Sequence, residues 1–174
     1  MIVVVMGVSG AGKTTIGRGL AERLGAAFVE GDDLHPAANV EKMRRGQPLT
    51  DEDRAPWLAD LARLARDLGQ GDRDVVLACS ALKQSYRDIL AAADPGRVRF
   101  VYLQAAPDLI RARMKARTGH FMPASLLESQ FADLEEPQAA LVIDAAERPE
   151  QILDEIEAEP ARQGLLEMAD KHVK

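Results

Sequence analysis

Cysteine, aromatic residues and long apolar runs are all scarce in this chain of 174 residues. Cys79 is the only cysteine, which excludes an internal disulfide and a cysteine-rich zinc site. Aromatic residues make up 4%, so the core has to be aliphatic, and a hydrophobic content of 47% is enough to build one. The longest apolar run near the N-terminus, residues 2–6, falls far short of the roughly 18 residues a membrane span needs, and no basic segment precedes it. A positive excess is missing too. Lys and Arg number 22 against 28 Asp and Glu, a formal net charge of −6, so there is no general footprint for nucleic acid or an anionic membrane, and any anion site must be local. Neither a repeat nor a Ser/Gly-rich linker divides the chain. One domain over residues 1–174, working in the cytoplasm, is the expectation.

What is present alternates between two kinds of segment. Residues 2–6 form a continuous apolar run that ends at a glycine-rich turn, the pattern of a strand covered on both faces of a parallel sheet. Ile16, Leu20 and Leu24 then recur at helical spacing, with Gly25 placed as a C-terminal cap. A short strand at 27–29 runs into the polar loop 30–33, and a helical segment ends near Gly46. Residues 50–53 resemble a capping box for a helix holding Trp57, Leu58, Leu61, Leu64 and Leu68, with Pro56 predicted to restart or bend its first turn. Further strands are predicted at 74–79, 98–103 and 140–143. Helices are predicted after Ser80, read as a cap, after Pro107 and after Pro149. Five strands with intervening helices make a three-layer α/β sandwich. The stretch 117–133 is too long for a minimal connection and is expected to form a mobile lid; a separate helical tail is expected from about 159.

The sharpest chemical signal is Gly7-Val8-Ser9-Gly10-Ala11-Gly12-Lys13-Thr14, which fits G-x-x-x-x-G-K-[ST] between a predicted strand and a predicted helix. Glycines let the backbone curl so that successive N–H groups point at phosphate oxygens, and the helix N-terminus adds its dipole. Lys13 is expected on the β and γ phosphates and the Thr14 hydroxyl on Mg²⁺, with Thr15 next in the loop. A guanine-reading N-K-x-D element is absent, since Asn39 is the only asparagine and Val40 follows it, so a switch GTPase is disfavoured. The strand at 74–79 ends without an Asp, which leaves Asp32 as the carboxylate best placed to assist the metal, directly or through water.

Ligands of open parallel sheets gather beyond the carboxyl ends of the strands, where the loops bearing Gly7, Asp32 and Ser80 should converge. Asp32 is a candidate to orient and deprotonate a hydroxyl, or simply a turn former. Lys83 and Arg87 stand four apart at the start of a predicted helix, where the dipole disfavours cations. Such a local conflict suits an anion site, the alternative being a solvated face. Arg54 offers a planar fork for a carboxylate, or a local ion pair with Asp51 and Asp53. His35 is weak evidence by itself. Arg113 and Arg117 either cap their helix or close over a nucleotide from the lid side.

Taken together these residues resemble the small P-loop gluconate kinases. The matching segments are 7–14, Gly31-Asp32 with Leu34-His35-Pro36, 49–54 with Pro56-Trp57-Leu58, 79–83 with Tyr86-Arg87-Asp88, Gly119-His120-Phe121, and Ser129-Gln130-Phe131 with Leu134-Glu135 and Pro137. They span most of residues 1–150. The resemblance implies a nucleoside-kinase-like fold with strand order 2-3-1-4-5 and a lid, and transfer of the ATP γ-phosphate to the 6-hydroxyl of D-gluconate with Mg²⁺. It also implies a cytoplasmic homodimer. On that reading, residues 7–15 with Arg113 and Arg117 hold ATP, while Asp32, His35, Arg54, Lys83 and Arg87 face gluconate. A shikimate-type kinase and a nucleotide-switched regulator are the rival readings.

Overall fold

The computed structural model describes residues 1–71, 73–116 and 124–158. The predicted tail from 159, the first part of the predicted lid (117–123) and Arg117 lie outside these residues. Five strands, β1 (Ile2–Met6), β2 (Ala27–Glu30), β3 (Val75–Ala78), β4 (Val98–Gln104) and β5 (Leu141–Asp144), pair in parallel in the order β2-β3-β1-β4-β5. Seven helices flank them among the described residues: α1 (Lys13–Leu24), α2 (Ala37–Arg44), α3 (Asp51–Leu68), α4 (Gln84–Ala91), α5 (Pro107–Ala116), α6 (Ala124–Asp133) and α7 (Pro149–Ala158).

The apolar run of β1 is explained by its central place. Its side chains alternate between two cores, Val3 and Val5 packing with Ile16, Leu20, Leu103 and Leu153 on one face. Ile2, Val4 and Met6 pack with Trp57, Leu58, Leu61 and Leu77 on the other. A strand with helices on both faces has no polar side to show, so periodicity of two disappears from the sequence. α1 ends as predicted at Gly25, in the left-handed region with φ 62°.

The capping box at Thr50 forms: the Asp53 amide donates to Thr50 Oγ1 at 3.2 Å and the Thr50 amide to Asp53 Oδ2 at 2.9 Å. Pro56 neither restarts nor ends α3, which runs on through Leu68. The loss of one amide donor to the Glu52 carbonyl is outweighed by burial of Trp57, Leu58 and Leu61 directly after it. The predicted cap at Ser80 is corrected. α4 begins at Gln84 with Lys83 as its N-cap residue, and the first-turn amide of Gln84 is satisfied from across the fold by Glu135 Oε2 at 2.6 Å. The second part of the predicted lid, 124–133, is helix α6, whose Leu126 and Leu127 are buried.

Candidate active site

Between β1 and α1 the chain curls back on itself and leaves the start of α1 bare. Gly12, the residue before α1, has φ 107°, a backbone that side chains rarely adopt. No side chain caps α1, and its first turn carries no acid, so the amides and the dipole of its N-terminus are left to suit an anion. The Lys13 ammonium folds over the loop and donates to the Val8 carbonyl at 3.1 Å. The next amide, Ser9 N–H, donates to Gln130 Oε1 of α6 at 2.7 Å.

Beside this loop stands a carboxylate that the sequence reading passed over. Glu30 is the last residue of β2, and Thr14 hydrogen-bonds to it. Burial, with Asp32 and Asp33 nearby, pushes the Glu30 carboxyl up from its usual range, while Thr14 and Lys13 oppose that rise. The signal was available in principle, because an acid at the carboxyl end of a strand next to the phosphate loop is in the right place for a metal. A hydroxyl and carboxylates are hard oxygen donors suited to Mg²⁺, which takes few protein ligands and keeps waters and phosphate oxygens for the rest. Thr14 and Glu30 fit that requirement, with Asp32 close enough to act on Glu30 electrostatically.

Beyond the loop lies a cleft of about 230 Å³. It is lined by Lys13 and Ser9 of the loop together with Asp32, His35, Arg54 and Ser80. Asp32 belongs to a 3-10 turn over Gly31–Leu34 rather than to the strand end itself. Gly31 is required there, since a Cβ would collide with the Ala78 carbonyl oxygen of β3. Its own carbonyl accepts from Trp57 Nε1 at 2.8 Å, so the fold side of the turn is tied to α3 while Asp32 stays exposed. His35 stacks on the Trp57 ring with centroids 4.0 Å apart. Burial pushes the imidazole below its ordinary pKa, with a rise from Asp32 opposing, and Nδ1 is buried without a hydrogen-bond partner. A neutral ring is the form that this setting favours.

The cations sort themselves by what they touch. Arg54 is only 12% exposed at its side chain and lines the cleft; its Nη1 donates to Tyr86 Oη at 3.1 Å and its Nη2 lies 3.4 Å from Asp133 Oδ2. Lys83 is drawn instead to Asp51 Oδ1 at 2.7 Å, outside the residues that line the cleft, and the Tyr86 hydroxyl donates to the same carboxylate. Hydrogen bonds from Lys83 and Tyr86 hold the Asp51 carboxyl below its usual range. Arg87 departs furthest from expectation. It is 3% exposed, and its Nη1 donates to the carbonyls of Ala81 and Leu82, both at 2.9 Å. Ala81 has φ 44°, so Arg87 braces a strained connection between β3 and α4 and does not line the cleft. The predicted pairing of Lys83 and Arg87 on one anion is therefore not seen.

Arg113 stands against the α1 end of the loop. Its Nη1 donates to the Ala11 carbonyl at 3.2 Å and its Nη2 to the Ala145 carbonyl at 2.6 Å, and it lines a cavity of about 130 Å³ with Gly10, Gly12 and Thr15. Besides Glu30, the sequence reading also missed Gln130 and Asp133. Both lie on α6, and only contacts across more than 70 residues bring them to the site.

A family model described as an AAA domain matches residues 2–137. A gluconokinase of Gluconobacter oxydans is 50% identical over 157 residues, covering 88% of this chain and 88% of the relative. The crystal structure of a gluconokinase from Sinorhizobium meliloti superposes with a TM-score of 0.83 at 44% identity, covering 98% of this chain and 97% of the other. The shikimate kinase of Aquifex aeolicus shares the fold alone, at 16% identity and a TM-score of 0.57. The chain thus belongs to the gluconokinase family of P-loop kinases.

Proposed function

We propose that the protein transfers the γ-phosphoryl group of ATP to the 6-hydroxyl of D-gluconate, giving 6-phospho-D-gluconate and ADP. The observation that supports this reading is the cleft itself, lined by Asp32 and Arg54 together with Lys13 and Ser9. A linear sugar acid has a hydroxyl at one end and a carboxylate at the other, and the cleft offers a base and a cation to match. Of the three cations proposed for the acceptor, Arg54 is favoured for the carboxylate because it alone lines the cleft, and a planar fork binds a carboxylate with two parallel hydrogen bonds.

In the transfer, the gluconate hydroxyl oxygen forms the new P–O bond while the bond from the γ-phosphorus to the β,γ-bridging oxygen breaks and its electron pair stays on ADP. Asp32 orients the hydroxyl and takes its proton; exposed in its turn, it reaches the cleft without rearrangement of the fold. Amides of residues 7–15 and the Lys13 ammonium hold the phosphates, with Arg113 on the nucleotide side and Arg117 closing from the lid. Thr14, Glu30 and Asp32, directly or through water, are the residues suited to hold Mg²⁺, which neutralises charge on the phosphates when bound. His35, stacked on Trp57, forms part of the cleft lining that the acceptor would meet.

The test is ADP release from Mg²⁺ and ATP with D-gluconate, shikimate, neutral hexoses or no acceptor. Release that depends on gluconate is expected; silence with every acceptor despite ATP binding would favour a nucleotide-switched regulator. No helix among the described residues is long and apolar enough to cross a membrane. The reading includes a homodimer in the cytoplasm, which sedimentation of the purified protein and fractionation of cells would check.

A further inference from the structure

The Ser9 amide is one of the donors that the phosphate loop would offer to a nucleotide, yet a side chain from a distant helix holds it. Gln130 Oε1 accepts from it at 2.7 Å across 121 positions of sequence. The Lys13 ammonium takes the other side of the same peptide unit, on the Val8 carbonyl at 3.1 Å. Amides of this loop point at phosphate oxygens, so the Gln130 oxygen on the Ser9 amide lies where a phosphate oxygen would go, and Ser9 and Gln130 share one cleft with Lys13, the residue that reaches the β and γ phosphates. Gln130 also lines the cleft with Lys13, Asp32 and Arg54.

Its carrier is not a loose loop. Leu126 and Leu127 of α6 are buried, and Leu127 packs in the same core as Val8, Ala11 and Ile110 under the phosphate loop. Phe131 packs against that core as well. These neighbours at i−4, i−3 and i+1 anchor the backbone of Gln130 beside the loop. A primary amide carries both an acceptor and a two-proton donor on one planar group, so it can serve the empty loop with its oxygen and a phosphate with its nitrogen.

We propose that Gln130 is a contact to the terminal phosphoryl group. In the free protein its oxygen occupies the Ser9 amide; when the triphosphate takes that amide, the Gln130 side chain turns and its Nε2 donates to a γ-phosphoryl oxygen during transfer. It adds a neutral donor where charge develops, without placing a further cation between the two substrates. This inference rests on the kinase reading of the cleft, and deepens it.

Two variants test it in the full chain, with affinities for ADP and for a non-hydrolysable ATP analogue measured by calorimetry beside gluconate kinetics. Gln130→Ala should lower kcat about a hundredfold, the scale for loss of one preorganised donor, with ADP affinity within about twofold and the gluconate KM within about threefold. Gln130→Glu puts a carboxylate against the terminal phosphate and should weaken the analogue at least about tenfold more than ADP. ADP affinity reports an intact loop, so a purely structural defect is visible as a loss for both nucleotides alike. A kcat for Gln130→Ala within about threefold of the parent, or equal weakening of both nucleotides by Gln130→Glu, would overturn the assignment. Should the parent protein ignore gluconate while Gln130→Glu still separates the analogue from ADP, the acceptor is wrong and the phosphoryl contact stands.

Discussion

The two ends of the sheet hold cavities of opposite character. At the amino ends of β1, β4 and β5 lies a groove of about 560 Å³, walled by Leu20, Leu24, Phe100, Leu141, Val142 and Ile156. At the carboxyl ends lies the smaller cleft of about 230 Å³, with Lys13, Asp32, Arg54 and Ser80. Volume alone would choose the wrong end. Chemistry follows the backbone instead: where strands end, helices begin, and bare amides, positive dipole ends and turn carboxylates are brought together. At the other end α1 and α7 finish, and what they contribute to the groove is aliphatic side chains. Placing reactive groups requires direction, which the carboxyl end of a parallel sheet supplies and an apolar groove does not.

The contrast is broken most strongly by removing the carboxylate proposed as base. Asp32→Asn should lower gluconate-dependent turnover by at least about a hundredfold, read as ADP release at saturating substrates. A loss within about tenfold would limit Asp32 to about 1.4 kcal/mol of the barrier and take the role of base away from it. Next comes the acceptor cation. Arg54→Met should raise the gluconate KM about tenfold to a hundredfold while leaving the KM for ATP unchanged, whereas Lys83→Met, outside the cleft, should change the gluconate KM by less than about threefold. Equal effects in initial-rate kinetics would mean that the ion pair with Asp51 opens and Lys83 reaches the substrate.

Smaller effects test the support behind the cleft. Trp57→Phe removes the hydrogen bond to the Gly31 carbonyl and should cost about 1 kcal/mol in urea unfolding. His35 gives a pH dependence with a definite sign. Its pKa is lower folded than unfolded, so its contribution to stability is complete above the unfolded value of about 6.5 and is lost as the pH falls from there through the folded value. The Tm should therefore drop between pH 7.5 and 5.5, and His35→Gln should flatten part of that drop. The smallest change is expected at the opposite end of the sheet: Val142→Thr, on the apolar groove, should leave kcat within about twofold, and a larger effect would join the two ends functionally.

Much of this was legible in residues close together in sequence. The strand, glycine loop and helix of 2–24 are announced by an apolar run, a fixed glycine spacing and a four-residue repeat, because each is decided within a few residues by backbone geometry. The Thr50 box is equally local. The reading failed at Ser80, where a cap was expected on grounds of residue type, because Glu135 reaches α4 from 51 residues away and satisfies the Gln84 amide. It failed at Arg87 for a related reason. A cation near a helix start has no sequence mark that separates a ligand from a brace, and only the path of Ala81 and Leu82 turns this one inward.

The sequence by itself determined the phosphate-binding chemistry and the order of strands and helices, since both depend on short-range geometry that neighbouring residues dictate. Its family resemblance extended that to an acceptor. Tertiary structure alone decided where the charged and polar side chains lie: Arg54 lines the cleft and Arg87 is buried outside it, Glu30 stands beside Thr14, and Gln130 sits on the Ser9 amide. The physical reason is that a side chain's charge is written in its residue type, while its burial and partners are set by packing between elements that the chain brings together from far apart.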